Sequence, residues 1–180
     1  MIISVKEIRN FLINIFIPLI IGYLSSILTM IISGTDISTY YLQLTKPSFA
    51  PPAFIFPIVW TILYILMGIS SYLILRKGYN LPKVRDAIFY YGLQLVLNFI
   101  WSILFFGFGL RFTALIDIII MILVSIIMIS KFSKIDKRSG YINLIYLMWL
   151  VYAGFLNYFI WFINCLLYTS DAADDSLRVD

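Results

Sequence analysis

The 180-residue sequence contains no histidine and only one cysteine, Cys165. These absences exclude a Ser-His-Asp triad, a zinc site of the His/Cys type and an intramolecular disulfide bond. Any haem or metal would need other ligands, so we predict no metal site and no required cofactor. Charged residues are also scarce, and their share of 12% is about half of that in soluble domains.

Hydrophobic residues make up 62% of the chain and aromatic residues 18%. Five apolar runs reach the roughly 20 residues that a helix needs to cross a bilayer. The first run is too long for the apolar core of a signal peptide, so we interpret it as a retained span. The sequence therefore predicts an all-α membrane protein, a five-transmembrane-helix bundle within residues 1–164, with spans near 11–33, 53–75, 86–107, 112–130 and 141–164.

The basic residues are distributed unevenly between the two faces that these spans define. Lys46 and Arg111 lie on one face, and ten Lys or Arg residues lie on the other. By the positive-inside rule, this asymmetry predicts a cytoplasmic N-terminus and a C-terminus outside. Because topology explains the basic face, we predict no nucleic-acid partner. The ten residues are Lys6, Arg9, Arg76, Lys77, Lys83, Arg85, Lys131, Lys134, Lys137 and Arg138.

The last sixteen residues, 165–180, differ from the rest in being polar and acidic, with four aspartates and one arginine. One interpretation is an ordinary acidic tail on a translocated end. The other, which we favour, is that this peptide resembles translated sequencing-adapter DNA. In that case the native chain ends near Asn164, and Cys165 is not native.

The longest connection between spans runs from residue 33 to residue 52 and contains Tyr40 and Tyr41. Three prolines, Pro47, Pro51 and Pro52, stiffen its second half because each restricts φ and lacks an N–H donor. Such a segment could cover a cavity between the helices. The alternative is a rigid connector in the membrane interface, where tyrosine is enriched in any case.

Three spans carry stripes of aromatic and polar side chains at helical spacing. On a lipid-facing surface the side-chain amide of asparagine would lack hydrogen-bond partners. These stripes should therefore face the bundle interior. They predict either the lining of a ligand cavity or hydrogen-bonded contacts between helices. The stripes comprise Trp60, Tyr64 and Met67; Asn98, Trp101, Ser102 and Phe105; and Tyr146, Trp149, Ala153, Asn157, Trp161 and Asn164.

Asp117 is the only acidic residue well inside a predicted span. An isolated carboxylate there is costly, so we expect a partner from another helix, such as Asn98, the Trp101 indole or the Tyr146 hydroxyl. Two hypotheses remain open for Asp117. It is either a ligand or proton contact, or one end of an interhelical hydrogen bond.

Small residues on the first two spans, Gly22, Ser26 and Gly68, predict close approach of helix backbones. The broken helices and inverted repeats that are typical of secondary transporters are not evident. We expect Pro18 and Pro57 to lie near helix beginnings.

Several motifs resemble those of the TspO/MBR family, the family of the translocator protein. They are Lys46-Pro47-Ser48-Phe49-Ala50-Pro51-Pro52 followed by Trp60; Leu97-Asn98-Phe99-Ile100-Trp101-Ser102; Ala114-Leu115-Ile116-Asp117; and Tyr146-Leu147-Met148-Trp149 with Ala153 and Asn157. The chain departs from the family where Phe49 replaces a frequent tryptophan and where Ile145 replaces a common proline. The cholesterol-recognition pattern of animal members is absent as well.

The resemblance implies binding of tetrapyrroles such as protoporphyrin IX in a pocket that the first loop closes. It implies Trp60 and Trp149 as redox-capable walls, Tyr41 as a lid contact, and Asn98, Asp117 and Ala153 as further lining. Pro47, Pro51, Tyr64, Trp101, Tyr146 and Asn157 complete the predicted ligand-binding set.

The resemblance also implies a bacterial or archaeal cytoplasmic membrane and a possible homodimer. We therefore expect a porphyrin-binding membrane protein that acts as a sensor, regulator or carrier. The alternatives are an enzyme for light- and oxygen-dependent porphyrin degradation, with porphyrin as its substrate, and a small-molecule transporter.

Overall fold

The computed structural model describes residues 4–176, and for residues 166–176 it describes the backbone alone. Five of the six α-helices in this part of the chain are long and apolar enough to cross a membrane, which confirms the predicted all-α class and span number. The short exception is α2. The helices are α1 (Val5–Ser33), α2 (Ile37–Gln43), α3 (Ile55–Leu75), α4 (Pro82–Ser102), α5 (Arg111–Ile135) and α6 (Lys137–Ser176).

Helix α1 begins six residues before the predicted span because a capping box stabilises its first turn. The Ser4 hydroxyl accepts from the Glu7 amide while the Glu7 carboxylate accepts from the Ser4 amide. Pro18 consequently lies well inside α1, and the expectation that it lies near a helix beginning was wrong. Because proline has no N–H, the carbonyl of Asn14 lacks its usual partner four residues later.

Helices α1 and α3 approach each other closely beside this proline. A Cβ atom at Gly68 would lie 2.6 Å from the Asn14 carbonyl oxygen and 2.5 Å from the Ile15 Cα atom. Only glycine leaves room for that approach, as expected for small residues between membrane helices. Helix α5 packs between α4 and α6, and α1 is the least buried of the five spans.

Two ion pairs lie at the same end of the bundle, one between the α3–α4 and α5–α6 connections and one between helices α4 and α5. The Lys77 ammonium lies 3.3 Å from the Asp136 carboxylate, and Lys131 pairs with Asp86. We call this end the basic end, and the opposite end, where α2 and the start of α5 lie, the loop end. The pairs show that the predicted basic connections share one end of the molecule.

The 33–52 connection contains a two-turn helix, α2, that the periodicity did not reveal. Asp36 caps its start by accepting from the Thr39 amide at 2.9 Å. The hydrogen bond from the Thr39 hydroxyl is the largest cause that lowers the pKa of Asp36 below its usual value. At the other end, the Lys46 ammonium donates to the carbonyls of Tyr41 and Leu44, at 2.8 and 3.0 Å.

The last turn of the third span is a π-helical turn, Ile103–Gly107, in which the Phe108 amide donates to the Ile103 carbonyl at 2.9 Å. It turns Phe105 and Phe106 into the core.

Helix α6 continues to Ser176, beyond the predicted span end at residue 164. The predicted tail, residues 165–180, lies almost entirely outside the part of the chain whose side chains are described. Whether this tail is native therefore stays a prediction.

Candidate functional site

A cavity of about 570 Å³ lies near the loop end, between α1, α2, α3 and α4. Its volume is in the range of sites that hold drug-sized ligands. Helices α1, α3 and α4 contribute its walls. The lining residues of these walls are Leu19, Gly22, Tyr23 and Ser26 from α1; Phe56, Pro57, Trp60, Thr61 and Tyr64 from α3; and Asn98, Trp101, Ser102 and Phe106 from the third span.

Helix α2 and the residues around it cover the cavity at the loop end. Tyr41 is 2% exposed, and its hydroxyl donates to the Pro51 carbonyl at 2.9 Å. Burial raises the pKa of Tyr41 to about 12, so this phenol stays neutral at physiological pH. The ammonium of Lys46 lies 4.8 Å from the centre of the Tyr41 ring. These contacts hold the cover in place.

The wall formed by α3 consists largely of aromatic rings. Trp60 and Tyr64 have ring centres 5.5 Å apart, and Phe56 lies 4.9 Å from Tyr41. Gly22 brings α1 close to Tyr64, because a Cβ atom at this glycine would lie 2.2 Å from the Tyr64 ring. The wall therefore offers flat apolar surface of the kind that favours stacking.

The floor of the cavity is polar. The Tyr64 hydroxyl donates to the Asn98 side-chain oxygen at 2.6 Å, and both residues line the cavity. Asn98 is 4% exposed, and its side-chain amide has only long contacts, 3.5 Å to the Tyr146 hydroxyl and 3.9 Å to the Met121 sulfur. The floor can therefore donate a hydrogen bond from Asn98 and accept one at the Tyr64 oxygen.

The structure brings five of the predicted ligand-binding residues together around this cavity: Tyr41, Trp60, Tyr64, Asn98 and Trp101. Pro47 and Pro51 belong to the cover instead, where their carbonyls accept from the Ala50 amide and the Tyr41 hydroxyl. The remaining predicted residues lie elsewhere in the bundle: Asp117, Tyr146, Trp149, Ala153 and Asn157.

Trp149 is not among the cavity-lining residues but contacts one of them. Its ring centre lies 6.1 Å from that of Phe56, which lines the cavity, and 5.4 Å from that of Tyr152. Trp60 and Trp149 were predicted as two walls of one site. The structure places Trp60 in the cavity lining and Trp149 outside it, in contact with Phe56.

The polar groups of α6 connect helices. Asn157 accepts from the Trp101 indole N–H at 3.1 Å and donates to the Arg111 carbonyl at 2.9 Å. Tyr146 is 1% exposed and donates to the Gln94 side-chain oxygen at 2.6 Å. Of the two hypotheses for this stripe, these contacts are the ones expected for hydrogen bonds between helices.

Asp117 is 8% exposed, and in the described part of the chain no hydrogen bond joins it to Asn98, Trp101 or Tyr146. The expected bond to Asn98, Trp101 or Tyr146 was therefore wrong. Its Oδ2 atom has no hydrogen-bond partner among the described residues. In the same part of the chain, no three His, Cys, Asp or Glu side chains lie close enough together to hold a metal ion.

The α1 wall and Phe56 were absent from the predicted site. Gly22 and Ser26 had been noted only for close packing, although both line the cavity. Their spacing of four residues places them on one helix face, and this was the available signal. Phe56 carried no such signal, because an aromatic residue near a helix start is common in membrane proteins.

The sequence profile of the TspO/MBR family matches residues 14–162. The tryptophan-rich protein TspO of Chlorobaculum tepidum is 35% identical over 116 residues, which cover 64% of this chain and 71% of that protein. The protein of the same name from Archaeoglobus fulgidus is 39% identical over 107 residues, or 59% of this chain and 65% of that one.

The tryptophan-rich sensory protein of Cereibacter sphaeroides is 34% identical over 82 residues, which cover 46% of this chain and 49% of that protein. The matched stretch thus spans about half to about seven-tenths of these relatives. The profile match covers most of the chain and overlaps all five helices that could cross a membrane. The chain therefore belongs to the TspO/MBR family of integral membrane proteins.

Proposed function

We propose that this protein binds a flat apolar ligand of the tetrapyrrole class, such as protoporphyrin, and acts as a membrane sensor, regulator or carrier. The observation that supports this function best is the covered cavity with aromatic walls and a polar floor. Trp60 and Phe56 provide stacking surface for a macrocycle. Asn98 and Tyr64 can orient polar atoms at its edge.

The sensory part of the proposal draws on the printed names of relatives, one of which is a tryptophan-rich sensory protein. A sensor must couple an occupied site to the rest of the molecule. The Asn98 amide at the cavity floor lies 3.5 Å from the Tyr146 hydroxyl of α6, and this contact supports such coupling. A ligand that displaces the Asn98 side chain would therefore change a contact with α6.

We further infer that the basic end faces the cytoplasm of a bacterial or archaeal cell and that the cavity lies on the outer side. The ten basic residues of the N-terminus and two connections support this orientation. A homodimer, implied by the family resemblance, stays a prediction. Chemical cross-linking in membranes tests it, and a monomer band alone would count against it.

The binding proposal is tested by filling the cavity from one side of α4. Ser102 lines the cavity, so Ser102→Phe should occupy the space of the ligand. The matched control is Val96→Phe on the exposed side of the same helix, where the side chain is 55% exposed. Protoporphyrin IX is titrated against the full chain in bilayer nanodiscs, with quenching of tryptophan fluorescence as the signal.

We expect Ser102→Phe to weaken protoporphyrin binding about tenfold or more, while Val96→Phe retains it. Equal affinity of both variants would show that the porphyrin binds the lipid or another surface, and would reject the cavity as its site. Thermal unfolding of both variants confirms that the fold survives.

A second candidate function is light- and oxygen-dependent degradation of the porphyrin. The observation that favours it is the position of Trp60, an oxidisable indole at the cavity, 5.5 Å from Tyr64. Illumination of the protein with protoporphyrin tests this activity. Bleaching that Trp60→Phe leaves unchanged would reject the enzyme, because a free porphyrin also bleaches itself.

A further inference from the structure

A central cluster of polar side chains, Tyr64, Gln94, Asn98 and Tyr146, lies beneath the cavity between α3, α4 and α6. Tyr146 donates to the Gln94 side-chain oxygen at 2.6 Å, and Tyr64 donates to Asn98 at the same distance. Gln94 is 0% exposed. Two members of the cluster line the cavity, so the cluster begins at the ligand site and extends away from it.

A second group, the serine cluster of Ser70, Ser139 and Asn143, lies nearer the basic end. The hydroxyls of Ser70 and Ser139 are 2.6 Å apart, and the Asn143 amide donates to the Ser139 carbonyl at 2.8 Å and to the Ser70 hydroxyl. All three residues are fully buried. Helices α3 and α6 thus carry buried polar groups at two depths.

Four polar side-chain atoms that lie within the two clusters or between them have no hydrogen-bond partner among the described residues. They are the hydroxyls of Tyr91 and Ser125, the Gln94 side-chain nitrogen and the Asn143 side-chain oxygen. Ser125 faces the Tyr146 hydroxyl and Tyr91 faces Ser71, but neither pair has the distance and angle of a direct hydrogen bond. Each such atom costs free energy inside a bilayer, where bulk solvent cannot satisfy it.

The chemistry of these four atoms identifies the ligand that can satisfy them. The Gln94 nitrogen only donates, the Asn143 oxygen only accepts, and the two hydroxyls do both. A metal cation would not suit the amide nitrogen, and an anion would not suit the amide oxygen. Water donates two hydrogen bonds and accepts two, so it is the one small ligand that matches every member.

The polar groups continue from the cavity to the surface of the basic end. Tyr64 and Ser71 are seven residues apart on α3, a rise of about 10 Å along the helix. The Ser71 hydroxyl then donates to Asn14 at 3.1 Å, and the Asn14 amide donates to the carbonyl of exposed Asn10 at 2.8 Å. Residues 65–69 of α3 are apolar and include buried Met67. The polar side chains at this depth are therefore Gln94 and Tyr91 of α4.

We propose that a row of internal water molecules connects the two clusters and forms a hydrated path from the cavity floor to the basic end. The path gives Tyr64 and Asn98 proton and water exchange with the side of the membrane opposite the cavity cover. It is independent of the ligand proposed above, because it rests on the protein's own unpartnered groups.

The first test is water-to-protein magnetisation transfer in solid-state NMR spectra of the full chain in lipid bilayers. We expect transfer from water to the Gln94 side-chain amide. The internal control is the Asn157 side-chain amide, which is buried, lies outside the cavity lining, already donates to the Arg111 carbonyl and should receive little. Transfer to Gln94 no stronger than to Asn157 would overturn the proposal.

The second test removes single hydroxyls at the water positions. If bridging waters occupy the path, Ser125→Ala and Tyr91→Phe each lose such a bridge, and the unfolding temperature falls by about 2–4 °C. A dry, unpartnered hydroxyl behaves oppositely, since its removal relieves an uncompensated polar group. Thr29→Val on α1 is the matched control, because Thr29 is fully buried and its hydroxyl is also unpartnered in the described structure.

We expect Thr29→Val to leave the unfolding temperature unchanged or to raise it. A Ser125→Ala or Tyr91→Phe variant as stable as Thr29→Val would reject the hydrated path. Failure of protoporphyrin binding leaves both tests unaffected, so the two proposals can fail separately.

Discussion

The cavity side of the bundle and the α5–α6 pair contain the same kinds of residue but use them differently. On α3, Trp60 and Tyr64 face a cavity of about 570 Å³. On α6, Asn157 bonds to Trp101 and to the Arg111 carbonyl, and Trp149 packs against Phe56. An aromatic and amide stripe therefore marks an interior helix face, and the neighbouring helix decides whether that face binds a ligand.

The glycines explain part of this difference. Gly68 and Gly22 let α1 approach α3, and the approach positions Tyr64 at the cavity floor. Between α5 and α6, Gly140 lies against Ser133, where an added Cβ would be 1.9 Å from the Ser133 hydroxyl. The contact between Gly140 and Ser133 lies at the basic end, where α5 and α6 pack directly against each other. The α1–α3 contact at Gly22, by contrast, borders the cavity.

The largest effect is expected where α1 meets α3. Gly68→Ala places a Cβ atom 2.5 Å from a backbone atom of Ile15, which cannot move aside without shifting the helix. We expect a loss of about 3 kcal/mol in the free energy of unfolding, at the upper end for overpacking. Thermal unfolding in detergent measures it.

Gly92→Ala is the matched control, because no atom lies within 4 Å of a Cβ placed there. We expect this variant to be neutral or slightly more stable, since alanine favours helix over glycine by up to about 1 kcal/mol. Equal losses in both variants would mean that the close α1–α3 contact is not what Gly68 provides.

The cavity floor should depend on Gly22. In Gly22→Ala the new Cβ would lie 2.2 Å from the Tyr64 ring, so the ring must move and the bond to Asn98 is lost. We expect protoporphyrin affinity to fall about tenfold, equivalent to about 1.4 kcal/mol. Gly154→Ala, whose nearest atom is 3.6 Å away on Ile122, should bind normally.

Substitution of Trp60 on α3 and of Trp149 on α6 compares the cavity side with α6 directly. Trp60→Leu removes a ring from the cavity wall, and we expect protoporphyrin affinity to fall about fivefold, as for a lost aromatic stacking contact. Trp149→Leu should change affinity less than about twofold, because Trp149 does not line the cavity. Isothermal titration of both variants in nanodiscs measures the difference, and a larger effect at Trp149 would contradict the assignment.

The smallest effect concerns charge at the cavity mouth. Asp36 is exposed and is the one charged group among the cavity-lining residues in the described part of the chain. Its carboxylate should weakly repel the propionates of protoporphyrin, and Asp36→Asn, which keeps a capping side chain, should improve affinity about twofold at low salt. The dimethyl ester of the same porphyrin should show no change.

The pH dependence of this repulsion follows from the pKa of Asp36, which is lowered from its usual value of 3.8 by the Thr39 hydroxyl. The carboxylate is therefore charged at every pH above that lowered value, and Asp36 itself does not titrate between pH 5 and pH 7. Titration of the Asp36 carboxyl carbon near pH 5 in NMR spectra of the protein would contradict this assignment.

Much of the fold could be predicted, because long apolar runs and the basic asymmetry are properties of the sequence alone. The site was predicted less completely, for reasons that single residues illustrate. Asn98 and Asn157 have equivalent signals on their helices, yet Asn98 meets a cavity and Asn157 meets the backbone of α5. The α2 helix, seven residues long, is too short for periodicity to reveal.

The sequence by itself determined five membrane spans and their shared interior faces, because a helix in lipid must satisfy its own backbone and turn its polar side chains inward. It also determined which connections share the basic end. Only the tertiary structure decided which interior faces leave a cavity and which close on one another. That choice depends on how near two backbones come at Gly22 and Gly68, a distance that no local pattern contains.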